Sequence, residues 1–166
     1  TQGFTSSASL SLVVPAGGYA VIGGEDAADI LGGAVDQVVN ISLGNGSNRD
    51  GFRITDCNGA VYDTVVYGGE LSDSDEWVND LGEAITSADQ LSPEPSEGIS
   101  TGRVPNGVDT DDCGVDFYNL DEFSSPWAAN DEEVFCEGQD DIKINEFLPN
   151  PDSDSTASDD NREWIE

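Results

Sequence analysis

The sequence predicts an all-β chain of the sandwich type, and three observations carry that expectation. Short runs rich in Val, Ile and aromatic residues recur between clusters of Gly, Pro, Asn and Asp. One stretch, Phe52 to Tyr67, has the pattern of a hairpin. The apolar content is just sufficient for folding: Leu, Ile, Val and Phe make up 38 of 166 residues, slightly above the roughly 20 % below which disorder is the default.

Along the chain, Leu10–Val14 and Tyr19–Gly23 read as strands separated by the turn signal Pro15-Ala16-Gly17-Gly18. Val38–Leu43 is a third. Phe52-Arg53-Ile54-Thr55 alternates apolar and polar residues, and Val61–Tyr67 runs back after Asn58-Gly59, which predicts a tight primed turn. An acidic surface excursion follows over residues 70–97, with one short helix from Glu76 to Ile85 capped by Asp75. Residues 98–118 read as Gly-punctuated extended chain, 131–141 as a charged linker and Ile142–Leu148 as a strand stopped by Pro149. A polar loop then leads to Arg162-Glu163-Trp164-Ile165-Glu166.

The charge balance narrows the partners. Thirty-five acidic residues against five Lys and Arg leave a formal charge of −30, which repels phosphate and so argues against direct nucleic-acid binding and against anionic membrane faces. Cationic partners, divalent ions or salty surroundings fit better. No apolar run approaches the roughly 20 residues needed to span a bilayer, so membrane insertion is not expected. The chain has no Met, which marks it as a processed product or a fragment.

Cys57, Cys113 and Cys136 form no CxxC, and there is no His, so the usual zinc sets are out of reach. Three cysteines permit one disulfide. A Cys57–Cys113 bridge in an oxidising compartment is the favoured pairing.

Chemical motifs are few. Gly98-Ile99-Ser100-Thr101-Gly102 matches the G-x-S-x-G pattern, yet no histidine exists to serve as base and Pro105 stands where a helix should start, so the match reads as a turn at a strand edge. Asp109 and Asp111 occupy positions 1 and 3 of a calcium-type loop whose twelfth position is Leu120. The loop from Asp152 has ligand oxygens at Asp152, Asp154, Asp160 and Glu163, but Ala157 where a sharp turn wants Gly. These six acids are the candidate metal ligands, calcium being the ion they suit; no other cofactor is expected, and no residue set reads as catalytic.

The segment Ile144-Asn145-Glu146-Phe147-Leu148, an acidic loop, then Glu163-Trp164-Ile165-Glu166 resembles the opening of a lamin tail domain, with its I-N-E and E-W-I-E motifs. Val14-Pro15-Ala16-Gly17-Gly18-Tyr19-Ala20-Val21 is similar to the P-x-G-x-Y-x-V strand of that family, residues 41–63 resemble its central hairpin, and Gly98-Ile99-Ser100 through Arg103 its late G-x-S-x-x-R element. The resemblance implies an immunoglobulin-like β-sandwich, with the order changed because the opening motif stands last. Residues 1–130 then form one lamin tail-like domain lacking its first strands, 131–141 an acidic linker, and 142–166 the opening segment of a following copy in a tandem array. The other reading is a strand that completes the first domain in cis or in trans.

The function expected from this is a non-catalytic spacer, adhesion or scaffold module of an extracellular or cell-surface protein, calcium-stabilised in one version. Its partners would be proteins, surfaces or neighbouring domains of its own type. The alternative is an accessory domain, or part, of a metal-dependent secreted hydrolase.

Overall fold

The computed structural model describes residues 4, 6–33, 35–40, 42–44, 48–69, 76–120, 126–130, 142–149 and 164–166. The chain is all-β with minor helical turns. Its strands are β1 (Ile22–Gly23), β2 (Gln37–Val38), β3 (Asp50–Thr55), β4 (Val61–Tyr67), β5 (Thr101–Arg103), β6 (Phe117–Asn119), β7 (Glu146–Leu148) and β8 (Trp164–Ile165). Helices α1 (Ala27–Leu31) and α2 (Cys113–Asp116) are one turn or little more. Six strands form a sheet in the order β2-β1-β8-β7-β5-β6, and β3-β4 form a second.

The hairpin stands where alternation places it, with Phe52 opposite Val65 and Arg53 opposite Thr64. Its turn differs from the expected two-residue primed form. Asp56 Oδ1 accepts from the amides of Asn58 (2.7 Å) and Ala60 (2.8 Å), and only Gly59 takes a positive φ, +87°. The Asp56 carboxylate thus organises a longer loop ending in a left-handed glycine, the arrangement of a type I turn with a bulge. The register shift between Ile54 and Thr55 is a separate bulge inside the ladder, with Tyr62 the extra residue on β4.

Period-two geometry gives β4 two buried faces. Val65 and Tyr67 point into a core shared with Phe52, Ile54, Phe117, Ile144, Phe147 and Ile165, while Val66 on the opposite face packs with Trp77, Ile85 and Leu91. Phe147 of β7 lies at the centre of the first core, its ring 5.2 Å from Phe52, 5.0 Å from Tyr67 and 5.9 Å from Phe117. The two sheets therefore pack against each other through this aromatic cluster. A third core joins Val21, Ala27, Leu148 and Trp164.

Two expected elements do not form. Residues 10–14 make no strand: Leu10 and Val13 are exposed, and the Gln37 side chain instead clamps this segment by accepting from Ser11 N and donating to Ser9 O. The helix from Glu76 to Ile85 is replaced by a small hairpin, Val78 bridging to Ala84. Asn79 Oδ1 accepts from Glu83 N at 2.8 Å and Gly82 adopts φ +77°, so side-chain capture of the backbone and a left-handed glycine outcompete helical hydrogen bonds. The single turn of α2, capped by Asp112, interrupts a stretch expected to be extended.

The Cys57–Cys113 bridge is likewise not formed. Cys57 is exposed in the hairpin loop, whereas Cys113 is buried on α2 with its Sγ donating to Thr64 O at 3.4 Å, so the two thiols face different surroundings. Cys136 lies outside the described residues.

Most consequential is the place of the C-terminal segment. β7 pairs with β5 (Thr101 opposite Phe147) and with β8, and β8 pairs with β1 (Ile22 opposite Ile165). Residues 144–148 and 164–166 thus sit in the middle of the sheet of their own chain.

Candidate functional site

Where the hairpin meets the six-stranded sheet, charged side chains converge on Arg103. This arginine ends β5 and is 1 % exposed. One of its terminal nitrogens donates to both oxygens of Asp63 on β4 (3.0 and 2.8 Å), the other to Asp116 on α2 (2.8 Å), Asp109 (3.1 Å) and the Val108 carbonyl (3.2 Å), and Nε donates to the Ile144 carbonyl (3.0 Å). Its planar fork also lies 4.5 Å over the Phe117 ring. Every donor group of the guanidinium faces an acceptor, and through Asp63 the arginine ties the six-stranded sheet to the β3-β4 pair.

The surrounding groups extend the network. Lys143 Nζ donates to Asp109 Oδ2 at 2.6 Å, and Ile144 N donates to Asp63 at 2.6 Å. Asp116 accepts from the amide and hydroxyl of Thr110, and Asp80 accepts from Thr64. Four carboxylates therefore stand around two cations.

Burial dominates their protonation. It pushes the Asp63 carboxyl up to about 7 although Arg103 and the Ile144 amide pull it down. Asp80 and Asp116 are raised for the same reason. Asp109 is held low: burial raises it, but the Lys143 hydrogen bond and Arg103 outweigh that. Burial also lowers Arg103, and Asp63, Asp109 and Asp116 more than reverse it, so the guanidinium stays charged. Desolvation lifts the Cys113 thiol to about 12, which removes it as a nucleophile.

Among the described residues, one oxygen each of Asp63, Asp80 and Asp109 lie within 4.8 Å of one another, the spacing of a cation site. Asp80 Oδ1 is enclosed without a hydrogen-bond partner. Of the six acids singled out in the sequence, Asp109 belongs to this group. Asp111 does not: its amide donates to Asp109 Oδ1, and it takes a left-handed φ of 60°. Asp152, Asp154, Asp160 and Glu163 lie outside the described residues.

Ser100, the serine of the G-x-S-x-G match, leads into a strand instead of a helix. It is fully buried and donates to Glu146 at 2.5 Å. A pocket lined by Glu25, Val38, Val39 and Asn40 sits beside β2 and shares no lining residue with the Arg103 network.

Asp63, Asp80, Arg103, Asp116 and Lys143 are the members that motif reading missed. Two signals pointed to three of them. Asp63 falls on the inward face of an otherwise apolar strand, in phase with Val65 and Tyr67. Arg103 and Lys143 are two of only five cations in the chain. Compared with protein-family models, curated proteins and solved structures, the chain gives no match.

Proposed function

We propose that the chain is a non-catalytic structural and interaction module of an extracellular or cell-surface protein, with a lamin tail-like, immunoglobulin-like sandwich as its architecture. The observation that supports this reading is the engagement of the Arg103 network: its arginine is 1 % exposed and paired with Asp63 and Asp116, and it joins the two sheets. A reactive site needs a group held ready for substrate. Here Asp63, Asp109 and Asp116 are held in ion pairs with Arg103 and Lys143, and of the four carboxylates Asp80 alone stands outside them. The chain is expected to turn over no ester, phosphodiester, glycoside or peptide substrate, with or without millimolar calcium or magnesium. Turnover that disappears in an Asp80→Asn variant with a wild-type melting temperature would establish the hydrolase reading instead.

One observation favours a calcium-stabilised version: the Asp63, Asp80 and Asp109 oxygens share a small volume, and one Asp80 oxygen has no partner. A calcium ion there would offset the excess of carboxylates over cations. Sites of extracellular modules hold calcium at about 10⁻⁴–10⁻³ M, so about 10 mM calcium would add about 1.4–2.7 kcal/mol. The expected result is a melting temperature raised by several degrees in the wild type and unmoved in Asp80→Asn; an unmoved wild type removes calcium from the reading.

A further inference from the structure

We infer that the seat filled by β7 and β8 is exchangeable, so that a second copy of this chain can supply the segment and two copies assemble by reciprocal strand exchange. This deepens the reading of the chain as an interaction module, and rests on it, by naming the partner. Three features lead to it.

First, the segment divides the sheet. With the order β2-β1-β8-β7-β5-β6, lifting out residues 144–148 and 164–166 leaves β1 and β5 as separate edges with no ladder between them. Unpaired edges of this kind are templates for another strand. Second, recognition is held by backbone. On the β5 side Arg103 N donates to Asn145 O (2.7 Å) and Gly102 lies opposite Glu146, and on the β1 side Ile22 lies opposite Ile165 and Gly23 opposite Trp164. Register comes from side chains that fill the cores completely: Ile144, Phe147, Leu148 and Trp164 are all 0 % exposed. A segment from a second copy would make every one of these contacts unchanged. Third, cis and trans closure differ only in the connection. Asn130 is anchored by its Nδ2, which donates to Arg103 O and Asn145 O. Residues 131–141 then carry six carboxylates and no cation, and eleven residues reach at most about 36 Å when extended.

Charge sets the condition for exchange. At −30 per chain, two copies repel until salt shortens the Debye length from about 10 Å at 0.1 M to about 3 Å at 1 M. Because the segment is central and buried, exchange also requires partial opening of the sheet, so it is slow.

The test uses two preparations of the full chain, one isotope-labelled, held together in urea just below the unfolding midpoint and returned to buffer at about 0.1 M or about 1 M salt. Native mass spectrometry then reads mixed dimers. The expected result is a mixed dimer about tenfold more abundant after the high-salt return, absent without the urea step, and persisting on dilution. A chain that stays monomeric throughout overturns the inference, and so does a dimer that mixes at once without urea, since that is surface association. Catalytic activity plays no part in this readout, so a failed non-catalytic reading would show in the substrate assays alone.

Discussion

Replacing Arg103 with methionine is expected to cost about 3–5 kcal/mol of folding stability, the range for removing one partner of a buried ion pair. For a chain of this length that corresponds to a melting temperature lower by about 6–20 °C. The size follows from what remains. Asp63 and Asp116 would keep their burial and lose the guanidinium that meets them at 2.8 Å, and Asp109 would keep Lys143 and the Asp111 amide. The carbonyls of Val108 and Ile144 would lose a donor as well. The attraction within the network need not exceed the cost of burying its charges for this to hold, because breaking the network leaves the burial cost uncompensated. The double variant Arg103→Met/Asp63→Leu separates these terms. It removes the charge facing methionine and is expected to recover part of the loss, though Ile144 N then lacks its acceptor. Arg103→Lys should fall between, since an ammonium keeps the charge and loses the fork. Urea denaturation of the three variants measures all of this, and a loss under about 1 kcal/mol for Arg103→Met would show the network to be solvated.

How far these features were legible in the sequence depends on the distance over which each is decided. The β3-β4 hairpin was readable because alternation and turn chemistry are local, and the Gly59 position was part of that signal. The helix expected at Glu76–Ile85 failed on a local competition that spacing alone does not resolve: Asn79 captures Glu83 N, and Trp77 is needed in the core beside Val66. The strand expected at residues 10–14 failed because a strand needs a neighbour, and Gln37 supplies a side-chain clamp in place of a ladder. The charged site was legible in part. Asp109 stood out through its acidic loop, but its partners Asp63, Asp80, Arg103 and Lys143 come from four separated stretches of chain, and only the folded topology joins them. An inward-facing Asp in an apolar strand of an acid-rich chain with five cations is the pattern that foretells such a network.

The second large effect is a pH dependence opposite in sign to ordinary acid unfolding. Burial holds the Asp63 carboxyl at about 7 and the Glu166 carboxyl at about 8 in the folded chain, against about 3.9 and 4.3 in the unfolded one. Both groups bind their protons more tightly when folded. The stability they contribute is therefore fully present below about pH 4, and it is lost as pH rises through about 7 for Asp63 and about 8 for Glu166. Every tenfold gain in proton affinity on folding is worth about 1.4 kcal/mol, so the two carboxyls together amount to several kcal/mol. Asp109 works the other way: its lowered value adds stability that disappears below about pH 4. The expected curve has its maximum near pH 4, falls from there to about pH 8 and levels off above it. Urea titrations across that range measure it, with Asp63→Asn expected to reduce the fall between about pH 4 and 7 and Glu166→Gln that between about pH 4 and 8. Repulsion within a chain of charge −30 has the same sign, so salt must separate the two causes. About 1 M salt screens exposed charges and leaves buried groups nearly untouched. A fall that survives in high salt belongs to the buried carboxyls, Asp63 and Glu166 with Asp80 and Asp116 adding in the same direction, whereas one that vanishes there belongs to the acidic surface and would show that the buried carboxyls titrate normally.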